Sequence, residues 1–301
     1  MQRFVTSLML LVLTSACSRE EPEAERVPMS FPPRPVATLL AKQVQHFDVV
    51  LKGEGPGQTM RLWVYLPPGN HAATSLPCVL IAPAGSNLIA GMNLGEGDRS
   101  EHLPYASAGF AVVAYELDGA LPEYAKPDQE VAAIKGYLAS KGGVLNAQTA
   151  IDYVTERMPE IDPNRFYAAG HSSAGTVALV LAASEPRVKG AVAYAPVVSL
   201  RAFLGPDMAK SLVKSVPKAA TFLDYGSPDQ RIADLTTPVM LFVARDDNTV
   251  APQRVIDFAK ALEDSGKAAE LVVVDEGGHY DAMIREGIPR GIAWLKKIDA
   301  R

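Results

Sequence analysis

A short apolar run, Phe166-Tyr167-Ala168-Ala169, stops at Gly170 and within a few residues gives way to small, helix-compatible residues from Ala174 to Ala183. An apolar run this short, bounded by glycine, is the length of a buried strand. A strand that turns so sharply into a helix brings two backbones close together, and Gly170 and Ala174 are small enough to allow it. The residue at the apex takes a strained backbone. Its side chain stands near the helix N-terminus, where the dipole favours negative charge. Two serines compete for the apex. Ser172 has Gly170 two positions before it but Ala174 two after, whereas Ser173 has Gly175 two after but His171 two before. The leading glycine borders the strand exit, which favours Ser172. In this context a Gly-x-Ser-x-Gly pattern marks a nucleophile elbow; taken alone it is equally a glycine-punctuated turn with no chemistry.

The rest of the chain repeats the alternation. His46 to Lys52 and Met60 to Leu66 are β-rich, separated by Gly53, Gly55, Pro56 and Gly57, and predict an antiparallel hairpin at a sheet edge. Cys78 to Ala82 and Phe110 to Tyr115 read as buried strands, and Val188 to Tyr194, Pro238 to Ala244 and Glu270 to Val274 as further strands. Helices are expected at Glu101 to Ser107, Asp128 to Ser140, Ala147 to Met158 with Asn146 as its cap, Gln253 to Ser265, and Asp281 to Lys297 with a kink at Pro289. Residues 197–225 are less regular and read as a small cap over the site. Strands alternating with helices at this spacing imply an α/β fold: a mostly parallel sheet with helices on both faces.

A net charge of −5 without a basic stripe argues against nucleic acid as a partner. Two cysteines, Cys17 and Cys78, leave no disulfide framework, and Cys78 sits mid-strand as a small hydrophobe. There is no metal-spaced His/Cys cluster, so neither a metal nor another cofactor is expected.

An alcohol is a poor nucleophile at neutral pH; it needs a base within hydrogen-bond reach and a carboxylate to orient that base. Candidates follow two strands directly. Pro238 to Ala244 runs into Arg245-Asp246-Asp247-Asn248-Thr249-Val250, and Glu270 to Val274 into Asp275-Glu276-Gly277-Gly278-His279. Residues just past strand ends meet at one edge of a parallel sheet. The bland reading of His279 is a turn histidine after two glycines; His46, His71 and His102 lack motif context, and His171 reads as a loop-packing residue.

The chain order Ser172, Asp247, His279, with Gly170-His171-Ser172, Asp247-x-x-Val250 and Gly277-Gly278-His279, resembles the α/β-hydrolase superfamily, in its prolyl oligopeptidase-like and dienelactone hydrolase-like branches. The resemblance runs from about Leu76 onward. It implies Ser172 as nucleophile, His279 as general base and then acid, and Asp247, at the family's Asp-x-x-Val position, as the residue that holds the imidazole; Asp246 is then a loop carboxylate. It implies an oxyanion site made by the Ser173 N–H and a donor from the loop after the Cys78 strand. Family members often carry His-Gly there, whereas this chain has Pro83-Ala84-Gly85-Ser86; the Ser86 N–H is the expected donor. The implied activity is a carboxylesterase-type serine hydrolase acting on a small-molecule or polymer ester. Similar peptidases usually carry a large N-terminal propeller, and only about 40 residues precede the strand pair here, which places a serine peptidase second. A non-catalytic envelope binding protein on the same fold is the third reading.

Met1 to Ala16 reads as an export signal: Arg3 is basic, Phe4 to Leu13 is apolar and too short to span a bilayer, and Leu13-Thr14-Ser15-Ala16-Cys17 resembles a bacterial lipobox. The resemblance implies cleavage before Cys17 and lipidation of its sulfur, so that the membrane is reached only through that anchor. Residues 17–37, rich in glutamate and proline, read as a mobile linker, and 38–301 as the hydrolase domain. Cys17→Ala is expected to abolish acyl labelling and release the protein from membrane fractions. A wild-type protein that is already free in the periplasm without an acyl chain would dismiss the lipobox.

Overall fold

The computed structural model describes residues 27–300. The leader and Cys17 lie outside them. Nine strands form one sheet: β1 (Thr38–Leu39), β2 (Gln45–Leu51), β3 (Met60–Leu66), β4 (Leu76–Ile81), β5 (Ala111–Tyr115), β6 (Ile161–His171), β7 (Val188–Tyr194), β8 (Val239–Ala244) and β9 (Ala269–Val274). Their spatial order is β1-β2-β3-β5-β4-β6-β7-β8-β9. The first three are antiparallel to their neighbours, and from β5 across to β9 every pairing is parallel. This is the α/β-hydrolase fold. The chain steps outward from β4 to β5 and then back across β4 to β6. The strand order therefore reverses between β4 and β6, the place in an open parallel sheet where the loops part to leave a crevice.

The continuous apolar strands alternate in what they bury. In β8, Val239, Leu241 and Val243 face one core, and Met240, Phe242 and Ala244 the other. A strand buried on both sides loses the polar half of its pattern but keeps its period of two. The first core is covered by α2 (Pro127–Ala139), α3 (Val144–Arg157), α4 (Ser173–Ala182), α5 (Leu200–Ser215), α6 (Ala219–Tyr225) and α7 (Pro252–Asp264); the second by α1 (Arg99–Ser107) and α8 (Ile288–Asp299). Every residue of α4 is buried, as expected of a helix that is apolar apart from Ser173 and Thr176 in its first turn.

Several local expectations change in the folded chain. Asn146 does not cap α3. Gly143, at φ 90°, takes that position, and Asn146 is a buried helical residue whose Nδ2 donates to Asp118 Oδ1 at 2.9 Å. Residues 197–225 are not irregular: α5 and α6 occupy most of them, with a break at Gly205 (φ 75°) ahead of Pro206. Their Leu212, Ala219, Phe222 and Leu223 join the first core. Pro289 produces no simple kink. A π-helical turn over Met283–Gly287 lets Ile288 N–H bond back to Met283 O, and Pro289 falls in the first turn of α8, where a missing N–H costs least.

The proline-rich segment was expected to be mobile as far as residue 37, but residues 27–37 lie along the body. Arg34 pairs with Glu160 at 2.7 Å and stacks on Phe47 at 4.3 Å. Arg157 Nη2 donates to Phe31 O at 2.7 Å, and the Phe31 ring meets Tyr153 edge-on at 5.7 Å. Proline and charge deny this segment its own core, yet docking onto an existing one needs only a few apolar side chains.

Gly291 lets α8 seat on the sheet. A Cβ there would fall 2.0 Å from Tyr194 Oη, and that hydroxyl is fixed by Tyr105 Oη at 2.5 Å in a buried pair. Gly291→Ala must therefore push α8 away. The expected cost is about 1–3 kcal/mol, as for other overpacked cores, read as a lower urea midpoint at unchanged slope. An unchanged midpoint would mean that α8 is not held by this contact.

Candidate active site

Strand register assembles the site. His171 pairs with Tyr194, Tyr194 with Phe242, and Ala244 with Val274, so β6, β7, β8 and β9 end together. Ile81 pairs with Ala169, which sets the loop after β4 beside the exit of β6.

At that exit Ser172 has φ 55° and ψ −120°, a conformation that costs a side-chain-bearing residue about 1–3 kcal/mol. Its surroundings hold it there. Ser172 N–H donates to Tyr194 O at 2.8 Å, and its carbonyl accepts from Thr176 N–H at 3.1 Å. A Cβ on Gly170 would lie 2.4 Å from the carbonyl of Ala174, and one on Gly175 would lie 2.9 Å from Gly170 O. Both glycines are thus required for α4 to start against β6. Ser172 is half-exposed, while His171 and Ser173 on either side are buried. The apex of the turn is Ser172, and α4 begins at Ser173.

Asp247 and His279 meet. Asp247 Oδ2 accepts from His279 Nδ1 at 2.7 Å, and its Oδ1 accepts the N–H groups of Thr249 at 2.8 Å and Val250 at 3.0 Å. Burial of the Asp247 side chain pushes its carboxyl upward. The hydrogen bonds from His279, Val250 and Thr249 outweigh burial and hold it below the usual carboxylate range. The three-residue spacing from Asp247 to Val250 therefore has a geometric cause: the loop folds its own amides onto the carboxylate.

Asp246 points elsewhere. Its two oxygens accept the N–H groups of Gly278 at 2.8 Å and Gly277 at 3.0 Å, and these bonds hold the exposed carboxyl below its ordinary value. Gly277 and Gly278 both sit at positive φ, 119° and 60°. The glycine pair and Asp246 together form the turn that presents His279.

His171 links the elbow to the His279 loop. Its Nε2 donates to His279 O at 2.8 Å, its ring lies 4.5 Å from the His279 ring, and its Nδ1 is 3.8 Å from the buried Glu101. Among the described hydrogen bonds none joins Ser172 Oγ to His279; His171 is the residue that bridges their loops. Catalytic hydrogen bonds are often loose before substrate arrives. The bridge spans 108 residues, and no local pattern announces it.

The loop after β4 departs from expectation. The N–H of Ser86, expected to face an oxyanion, donates to Ser173 Oγ at 3.0 Å, and the Gly85 N–H donates to the same oxygen at 3.0 Å. A hydroxyl can accept two hydrogen bonds, and the buried Ser173 side chain does so. Cys78, within β4, is fully buried, with its thiol pushed up by burial, away from reactivity.

Two family models match the chain, each over more than half of it: the prolyl oligopeptidase family at residues 132–299 and acetyl xylan esterase at residues 22–203. Among curated proteins no sequence relative matches. Solved structures share the fold. The acetyl xylan esterase from Paenibacillus sp. R4 is 20% identical, with 88% of this chain and 87% of that one covered and a TM-score of 0.62. A thermophilic esterase from Thermogutta terrifontis is 20% identical over 80% and 90% of the two chains, with a TM-score of 0.58. Dipeptidyl peptidase 4 from Porphyromonas gingivalis is 15% identical with a TM-score of 0.64; 85% of this chain is covered but only 35% of the peptidase. The two family models and the sheet order converge: the chain belongs to the α/β-hydrolase superfamily, as a prolyl oligopeptidase-like serine hydrolase.

Proposed function

We propose that this protein is a serine esterase that cleaves carboxylic esters through an acyl-enzyme, with Ser172, His279 and Asp247 as its triad. One arrangement carries the reading: a carboxylate–imidazole pair at 2.7 Å on the loops of neighbouring strands, at the same sheet edge as a strained, half-exposed serine.

His279 donates its Nδ1 proton to Asp247, which leaves Nε2 free to act as base. In the reaction, Ser172 Oγ attacks the ester carbonyl carbon as its proton passes to Nε2, and the carbonyl π pair moves onto oxygen. The tetrahedral oxyanion forms at the N-terminus of α4, where the Ser173 N–H is the first donor; the Gly85 and Ser86 N–H groups are engaged by Ser173 Oγ and tie their loop alongside. Collapse expels the alcohol, which takes the proton from His279. Water then repeats both steps on the acyl-serine, releases the acid and restores the hydroxyl. Asp247 stays ionised throughout and stabilises the imidazolium.

The esterase neighbours support carboxylic esters, small or polymeric, as the substrate class, and acetyl esters of polysaccharide are the first to test. The prolyl oligopeptidase model, which covers all three triad candidates, favours a peptidase as the second reading. The leader ending at Ala16-Cys17 supports export to the cell envelope and a lipid anchor, and α5 and α6 are the candidates for a cap.

Ser172→Ala should abolish fluorophosphonate labelling and ester turnover while leaving the fold intact. Asp247→Asn should lower turnover on the order of ten-thousand-fold, the scale set by losing the orienting carboxylate. Asp246→Asn should cost far less, acting through the Gly277-Gly278 turn; equal losses would reassign the acid. A panel of p-nitrophenyl esters against aminoacyl-anilides decides the class. Faster anilide cleavage would make the protein a peptidase, and tight ligand binding with no turnover would make it a binding protein.

A further inference from the structure

The Ser173 side chain has no part in the mechanism as a reactive group, yet it is buried at 2% exposure where two elements of the site meet. Its hydroxyl oxygen accepts two successive main-chain amides, Gly85 and Ser86, each at 3.0 Å. These donors lie 88 and 87 residues away in sequence and belong to the loop that leaves β4. Gly85 is at φ 102°, so the loop turns through a conformation that no other residue adopts easily. Consecutive N–H groups converging on one point form a concavity suited to an oxygen. Here the oxygen comes from the residue whose own N–H begins α4. Resting on the esterase reading above, we propose that the Ser173 hydroxyl is a positioning residue for the oxyanion site: it ties the β4 loop to the N-terminus of α4 and so fixes the Ser173 N–H, with the loop backbone held beside it, before substrate binds.

The physical reason is preorganisation. Donors aimed at developing charge are effective because they need not reorganise during the reaction. A glycine-containing loop left to itself samples many conformations, and misplacing a donor by about an ångström can cost on the order of a hundredfold in rate. Two hydrogen bonds to one buried oxygen remove that freedom. The role belongs to the side chain, so the Ser173 main-chain donor alone does not replace it.

Two measurements test the proposal. In the wild-type protein, the Gly85 and Ser86 amides should exchange with solvent at least about tenfold more slowly than the neighbouring Asn87 amide; equal rates would overturn the clamp without any variant being made. Ser173→Ala, checked for an intact fold by thermal melting, should lower kcat by about 10- to 100-fold with KM within about twofold. It should weaken a boronic acid transition-state analogue by the same factor, while fluorophosphonate still labels Ser172, more slowly. An unchanged kcat, or equal losses in substrate and analogue affinity, would overturn the positioning role. A faster variant would also overturn it, because the hydroxyl would then be competing with the oxyanion. Wild-type turnover that survives Ser172→Ala sinks the esterase reading itself; loss on Ser172→Ala with none on Ser173→Ala sinks only the clamp.

Discussion

The contact on which the site depends is the close approach of α4 to β6. Gly170 and the carbonyl of Ala174 are packed so tightly that no Cβ fits between them. That approach leaves Ser172 nowhere to go but a left-handed backbone, and the strain is held by main-chain bonds to Tyr194 and Thr176. A wider turn would relax the strained serine. The mostly apolar α4, buried along its whole length, supplies the packing that offsets the strain.

The electrostatics follow from two adjacent aspartates that point in different directions. Asp247 accepts from an imidazole and two loop amides; Asp246 accepts from two glycine amides on the facing loop. One carboxylate holds the His279 ring in place and the other holds the turn that presents it. Both lie below the ordinary carboxylate range because each is hydrogen-bonded in its charged form. The loops are therefore cross-linked by charge-assisted hydrogen bonds at the sheet edge, and His171 adds a third tie from beneath.

The inner parallel strands were legible as apolar runs because burial on both faces removes polar residues, whereas the edge strand β9 is only partly buried. The elements that changed were those whose form depends on a distant partner. Asn146 has the residue type of a cap, but Asp118 draws it into the helix. The stretch 197–225 has weak periodicity and becomes helical because a ready-made core receives Leu212, Ala219, Phe222 and Leu223. The docked segment 27–37 gains order in the same way, from Phe47, Tyr153 and Glu160 on the body.

The sequence by itself determined the strand–helix alternation, the serine at the elbow and the Asp-x-x-Val and Gly-Gly-His loops, since each is a local pattern with a local cause: burial, backbone conformation or an amide folded onto its own carboxylate. Which of two adjacent serines stands at the apex of the turn, and which of two adjacent aspartates meets His279, was weighed from local context, and the geometry itself belongs to the tertiary structure. So does the use of the Ser173 oxygen. Such choices depend on which donors arrive from chain segments many residues away, and no spacing along the chain encodes that arrival. Hydrogen bonds are short-ranged and directional, so they are assigned only once strand register has placed the loops side by side.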